Sequence, residues 1–267
     1  MSARSPATFA GYGLQLIDGG KLETSHMIRL AAFLDFLAKV LQARWRSLLV
    51  LLFGVGFPVL VFEQLAVAVW QYQGGFPWDG PLLLALHSTT QSQLDTLALI
   101  LTRLGSVWTL WPLALGLALL LLGLRRWRSL AYLLVALSGN MAINRIGKAF
   151  WHRVRPHLWE SMTPETDYAF PSGHAMTSMA IVAILAVLLW PSRWRWPILL
   201  IGTVYVITIG WTRLYLGVHF PSDILAGWMA ALAWSIGTSL MIRPHLTQFQ
   251  ALDEDSLTAD EEELLSN

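Results

Sequence analysis

Three short stretches of this 267-residue chain hold residue types that together could grip and react with a multiply charged oxyanion. KAFWHRVRP carries Lys148, Arg155 and Pro156, FPSGHA carries Pro171, Ser172, Gly173 and His174, and TRLYLGVHFPSD carries Arg213, His219 and Asp223. Two arginines and a lysine at one pocket would form a clamp, because guanidinium binds phosphate oxygens through a planar fork and ammonium acts as a point charge. Ser172 offers a hydroxyl, and Gly173 lets the backbone N–H groups of a helix start approach an anion closely. His174 and His219 supply groups that exchange protons near neutral pH. His219 and Asp223 are four apart, so on a helical turn the carboxylate can orient one ring nitrogen and leave the other as a nucleophile. Pro221 suits the first turn of that helix, where its missing N–H costs nothing.

Those residues must be positioned by elements built for lipid. Hydrophobic residues make up 55% of the chain and charged residues 13%, about half the charged share of an average soluble domain, so the apolar surplus must face a bilayer. A net charge of +1 gives no polyelectrolyte signal for nucleic acid. There is no cysteine, which excludes disulfides, thiolate metal sites and thiol catalysis. The first 45 residues show no apolar core followed by a small-residue cleavage site. Runs of about 20 apolar residues, the length that crosses a membrane, are expected at Ser47–Trp70, Val107–Leu124, Leu130–Ile146, Ser172–Trp190, Trp196–Trp211 and Ser222–Ile242. The expected fold is therefore all-α: a polytopic bundle of six transmembrane helices with amphipathic surface helices. Trp45, Trp70, Trp108, Trp127, Trp190 and Trp196 read as anchors at the membrane–water boundary.

Arginines orient the bundle. Arg44, Arg46, Arg125, Arg126, Arg128, Arg193, Arg195 and Arg243 all fall on one side of six spans, which the positive-inside tendency makes cytoplasmic, with both termini inside. The loop holding Lys148, Arg153 and Arg155, with Arg145 nearby, competes by charge. It is assigned outside because the other loops agree and because the chemistry claims some of its cations. Residues 27–41 place Met27, Leu30, Leu34, Leu37 and Leu41 on one stripe, either an amphipathic helix on the inner membrane surface or a helix packed on the bundle. Residues 81–104, interrupted by His87, a polar run and Asp95, are expected to form a helical segment over the outer mouth of the bundle, a seventh span being the alternative. The chain thus reads as an N-terminal segment (1–45), a six-span domain (46–243) and a tail (244–267) whose acidic run from Asp253 to Glu263 suits a solvated, disordered end.

Lysine, six residues, Arg-Pro; then Pro-Ser-Gly-His; then arginine, five residues, histidine, three residues, aspartate: this pattern resembles the type 2 phosphatidic acid phosphatases, a family related to vanadium haloperoxidases and bacterial acid phosphatases. The motifs span residues 148–223, and the order of spans extends the likeness over roughly 47–242. Thr212 stands where the family often has serine, which keeps a hydroxyl. The resemblance implies a membrane lipid phosphate phosphatase working at the outer face. His219 would attack phosphorus, Asp223 would hold and polarise it, and His174 would protonate the leaving oxygen and then assist water. Lys148, Arg155, Ser172, Gly173 and Arg213 would bind the phosphate oxygens. No cofactor and no metal are expected, since the protein supplies the cations and no carboxylate cluster resembles a magnesium site. Phosphatidic acid, phosphatidylglycerophosphate and undecaprenyl diphosphate are the implied substrates, with phosphatidic acid first. A phosphotransferase on the same scaffold, or a transporter with a vestigial motif, are the alternatives. Outside the pattern, Arg145, Arg153, His152, His157, His26, His87 and His245 read as headgroup, solvent or packing contacts. Glu63 is expected to face the bundle, and Glu160, Glu165 and Asp167 to pair with loop cations or water away from the phosphate.

Overall fold

A computed structural model describes residues 32, 33, 35, 36, 39, 41–72 and 75–245. The chain divides into two units, Met1–Leu48 and Leu49–Asn267. In the first, the described residues are helical, and Lys39 pairs with Asp35 one turn earlier at 2.8 Å on an exposed face. Most of the expected amphipathic stripe, and the acidic run of the tail, lie outside the described residues.

The second unit is built from helices, with no strand among the described residues. A π-helical turn, Leu52–Gly56, leads into α1 (Phe57–Gln71). Two short helices follow, α2 (Asp79–His87) and α3 (Ser92–Leu104), and then α4 (Val107–Gly123), α5 (Trp127–Trp151), α6 (Gly173–Leu188), α7 (Arg195–Tyr215) and α8 (Pro221–Ile242). A helix therefore stands at each of the six stretches expected to span. Among the described residues, four helical stretches are long and apolar enough to cross a membrane: Leu41–Gln71, Ser92–Gly123, Arg195–Tyr215 and Pro221–Ile242. The apolar α6 has 16 residues, about 24 Å of rise, and α5 carries Arg128, Asn140, Asn144, Arg145 and Lys148 along its 25 residues. The segment over 81–104 is two helices. The second is separated from α4 by the extended backbone of Ser106, whose hydroxyl accepts from Thr109 N as a cap.

Helices α6 and α8 form the centre, each packed on the other, with α7 beside α6, α1 beside α8, and α5 against both. Their shared faces are lined by small residues, Ala175, Ala180, Ala226, Ala230 and Ala231, all buried. Small side chains let helix backbones approach closely, the packing that serves where lipid removes the hydrophobic drive between helices. The outward faces keep large apolar side chains exposed, among them Leu200, Ile201 and Met241. Trp45, Trp70, Trp108, Trp127, Trp190 and Trp196 are all exposed, as anchors require. A surface this apolar belongs in a bilayer.

Two glycines bring the motif loops onto the bundle. A Cβ on Gly147 of α5 would stand 2.7 Å from Pro171 Cδ, and one on Gly227 of α8 would stand 2.9 Å from the Ser172 carbonyl oxygen. The stretch before α6 is thus held between α5 and α8 by contacts that only glycine permits.

Candidate active site

Four helix ends converge. Lys148 lies in the last turn of α5, which stops at His152 in the left-handed conformation (φ 47°). Ser172 stands at the N-cap position of α6, Arg213 lies in the last turn of α7, and Asp223 lies in the first turn of α8. Gly217, at φ +69°, turns the chain between α7 and α8 and so delivers His219 to the same place. Asp223 Oδ2 accepts the Phe220 N–H at 2.9 Å, fixing the carboxylate at the helix start.

His219 is buried, with Nε2 3.0 Å from an Arg155 guanidinium nitrogen and Nδ1 3.4 Å from Asp223 Oδ2. An Arg N–H can only donate, so Nε2 presents its lone pair to the pocket and the proton sits on Nδ1, facing Asp223. The 3.4 Å separation is longer than a formed hydrogen bond. Burial, and then the charges of Arg155 and Arg213, push the His219 imidazolium well below its ordinary acidity range, so the ring is neutral at physiological pH. Arg155 also donates to the Val218 carbonyl at 2.7 Å, which holds its guanidinium beside the ring. Arg213 is anchored from α3 by Thr102 Oγ1 at 2.9 Å. Ser172 donates its backbone N–H to the Asp223 carbonyl at 3.1 Å, and its buried hydroxyl has no hydrogen-bond partner among the described residues. Gly173 and His174 open α6 half-buried, and His174 is within electrostatic reach of Arg213, Lys148 and Arg155. Thr212 is buried and turns its hydroxyl to its own helix, donating to the Ile209 carbonyl at 2.7 Å.

Three features depart from the sequence reading. Glu165 and Asp167 do pair with cations, but with those of the cluster itself. Glu165 bridges Arg213 and Arg155, the latter at 2.5 Å, and Asp167 bridges Lys148 and Arg155, the latter also at 2.5 Å. Burial raises the Glu165 carboxyl, but Arg213 and Arg155 outweigh it and hold the group below its usual range. Asp167 is likewise raised by burial, and Lys148 and Arg155 pull it down to about 2. The two carboxylates therefore stay ionised and pair with all three cations of the cluster. Arg153, read as a headgroup or solvent contact, has no exposed side-chain surface and pairs with Asp223 and with Asp79. Its position two residues before Arg155 was the one available hint; Asp79 carried none, since an acid in the first turn of a helix is commonplace. Glu63 is exposed on α1, lining a lateral groove of about 470 Å³ with Phe62, Trp70, Phe150 and Trp151, and so does not face the bundle interior. No cluster of three or more His, Asp or Glu suited to a metal occurs among the described residues.

The fold is a helical membrane bundle that gathers Lys148, Arg155 and Arg213 around a neutral histidine near the ends of its helices. The sequence profile of the PAP2 superfamily matches residues 129–246, which contain all three motifs. Phosphatidylglycerophosphatase B of Bacillus subtilis is 30% identical over 138 residues, 49% of this chain and 67% of that one. An undecaprenyl-diphosphatase of Sulfolobus acidocaldarius is 27% identical over 141 residues, 51% of this chain and 65% of that one. The chain thus spans about two thirds of the length of these relatives. The crystal structure of a transmembrane PAP2-type phosphatidylglycerolphosphate phosphatase from Bacillus subtilis superposes with a TM-score of 0.61 at 27% identity, covering 69% of this chain and 94% of that one. The chain belongs to the PAP2 superfamily.

Proposed function

We propose that this protein is a membrane lipid phosphate phosphatase that works through a phosphohistidine. The observation that carries the reading is the gathering of Lys148, Arg155 and Arg213 around His219, with Arg155 at Nε2 and with Glu165 and Asp167 paired to the three cations as two internal anions. Substrate phosphate displaces the two carboxylates and takes over their cations. Arg155 then turns from the Nε2 lone pair to a phosphate oxygen, which frees the lone pair for attack. The Nε2–P bond forms as the P–O bond to the lipid breaks, and His174 gives its proton to the departing oxygen. Asp223 stabilises the positive charge that His219 gains. In the second half, His174 takes a proton from water, the water oxygen bonds to phosphorus and the N–P bond breaks, releasing inorganic phosphate. Throughout, Lys148, Arg155, Arg213, the Ser172 hydroxyl and the Gly173 N–H stabilise charge on the equatorial oxygens.

The substrate is a lipid phosphomonoester or diphosphate, which is supported by the names of the relatives and by motif residues lying at the ends of apolar helices. Six helices, α1 and α4–α8, cross the bilayer, with both termini cytoplasmic and the site at the outer face; the arginine asymmetry motivates this topology. Acyl or prenyl chains remaining in hydrocarbon supply binding energy that a soluble ester lacks. The test is phosphate release by the purified protein on phosphatidic acid, phosphatidylglycerophosphate and undecaprenyl diphosphate, each beside a short-chain analogue in matched detergent. Long chains should give at least a tenfold higher kcat/KM, an order-of-magnitude expectation from apolar contact, and His219→Ala should abolish turnover. Activity should survive excess chelator. Equal rates for long and short chains would remove the case for a lipid, and an active His219→Ala would remove the mechanism.

A further inference from the structure

Beneath the reaction site lies a second charged group, which joins Arg153, Ser222 and Asp223 of two motif stretches to Asp79, outside all three. Arg153 donates from one terminal nitrogen to Asp223 Oδ1 and to Ser222 Oγ, the latter at 2.7 Å, and from the other to Asp79 Oδ2 at 2.8 Å. Asp79 in turn accepts the Ser222 N–H at 3.0 Å, the Ser222 hydroxyl at 2.6 Å and the Phe76 N–H at 3.0 Å. The Arg153 guanidinium also lies over the Phe220 ring, 4.5 Å from its centroid. Arg153, Asp79 and Asp223 are each at most 2% exposed. This is one cation between two carboxylates, a buried group with net charge −1. A staple between α2 and α8 would need only one carboxylate on the arginine, and burying a second is costly. The excess negative charge lies beside the one residue that must become positive, since His219 gains charge when Nε2 bonds to phosphorus.

We propose that Asp79, through Arg153, is a positioning residue for the phosphohistidine step: by sharing the guanidinium, it leaves the Asp223 carboxylate enough negative charge to orient His219 Nδ1–H and to stabilise the phosphorylated ring. Without Asp79, Arg153 rests on Asp223 alone and largely cancels it. His219 is otherwise faced by Arg155, Arg213 and Lys148, all cations, and by Glu165, which the incoming phosphate displaces. Asp223 is therefore the anion that remains, and Asp79 sets how much of its charge the ring feels. The inference rests on the proposed phosphatase reading and adds a residue from a segment that the family profile, residues 129–246, leaves out.

The experiment compares purified wild-type protein with Asp79→Asn, Asp79→Glu, Ser222→Ala and His219→Ala on a long-chain phosphatidic acid in detergent, with folding followed by thermal melting. Asp79→Asn should lower kcat roughly tenfold or more while KM stays within about threefold, because the loss falls on the charged intermediate rather than on binding. It should also move the acid limb of the pH–rate profile down by about half a unit or more, since His219 becomes harder to protonate. Asp79→Glu should bring the limb back toward that of wild type. A merely structural Asp79 would lower the folded fraction and leave the limb unmoved in the protein that remains. An unshifted limb, or wild-type kcat in Asp79→Asn, overturns the proposal. Should Asp79→Asn not fold, Ser222→Ala decides: removing that hydroxyl should shift kcat and the limb in the same directions by less, and no change in either overturns the bridge. Turnover by His219→Ala overturns the phosphatase reading and this inference together, whereas an inactive His219→Ala with an unaffected Asp79→Asn overturns the bridge alone.

Discussion

His219 and its neighbours make two predictions at the scale of single residues. Its depressed basicity, from burial and from Arg155 and Arg213, means that the ring stays neutral, and so nucleophilic, well into the acid range. A nucleophile whose protonated form is disfavoured loses activity only as the pH falls through its lowered pKa. The acid limb of kcat/KM should therefore lie below 6.5, the ordinary histidine value. Glu165 and Asp167 are held low and remain charged across the same range, so they do not supply that limb. A pH–rate profile with its acid limb at or above 6.5 would contradict the electrostatics described for the site. The second prediction concerns Glu165, which bridges Arg213 and Arg155. As Glu165 competes with phosphate for both guanidinium groups, Glu165→Gln should tighten inhibition by inorganic phosphate or vanadate about tenfold, the order of one charge-assisted pair. Unchanged or weaker inhibition would mean that the carboxylate is not displaced.

The elements hold these residues through helix ends and close backbone approaches. The capped start of α8 fixes Asp223, the end of α5 fixes Lys148, and the stretch before α6 is pinned by glycines on both sides. A Cβ at Gly227 would press on the Ser172 carbonyl at 2.9 Å, a backbone atom that cannot swing away as a side chain would. Gly227→Ala should therefore shift the Ser172–His174 turn and cut kcat by about tenfold or more, with destabilisation of roughly 1–3 kcal/mol from overpacking. Gly116→Ala on α4, where nothing lies within 4 Å of the added carbon, should leave activity unchanged and stabilise the helix slightly. Equal activities for the two variants would show that the glycine contact does not position the motif.

At the scale of the molecule, the question is which way the bundle faces. The proposed topology puts the loop between α5 and α6 outside and the α4–α5 and α6–α7 turns inside. The chain has no cysteine, so single cysteines introduced at the exposed positions Glu160 and Arg125 report without background. Glu160→Cys should react with an impermeant thiol reagent in intact cells, and Arg125→Cys only after the membrane is opened. The reverse pattern would place the site on the cytoplasmic face and leave its chemistry untouched.

The sequence by itself determined the three motifs, the helical class and the position of each main helix, because those are local properties. Apolar length marks a span, and Lys148, Arg155, Ser172, His174, Arg213, His219 and Asp223 announce their chemistry by type and spacing. It also marked the exposed tryptophans, whose rings suit the interface wherever they fall. What only the tertiary structure decided was the pairing of charges. Arg153 meets Asp79 across 74 positions, and Ser222 meets Asp79 across 143. The place of Arg153 two residues before Arg155 is the one mark in the sequence, and that spacing does not say which carboxylates it meets. The same is true of Glu165 and Asp167, which lie within the clamp, and of Glu63, which faces outward into a lateral groove. A charged side chain shows in sequence that it must find water or a partner; which partner it finds depends on chain folding that brings distant residues together.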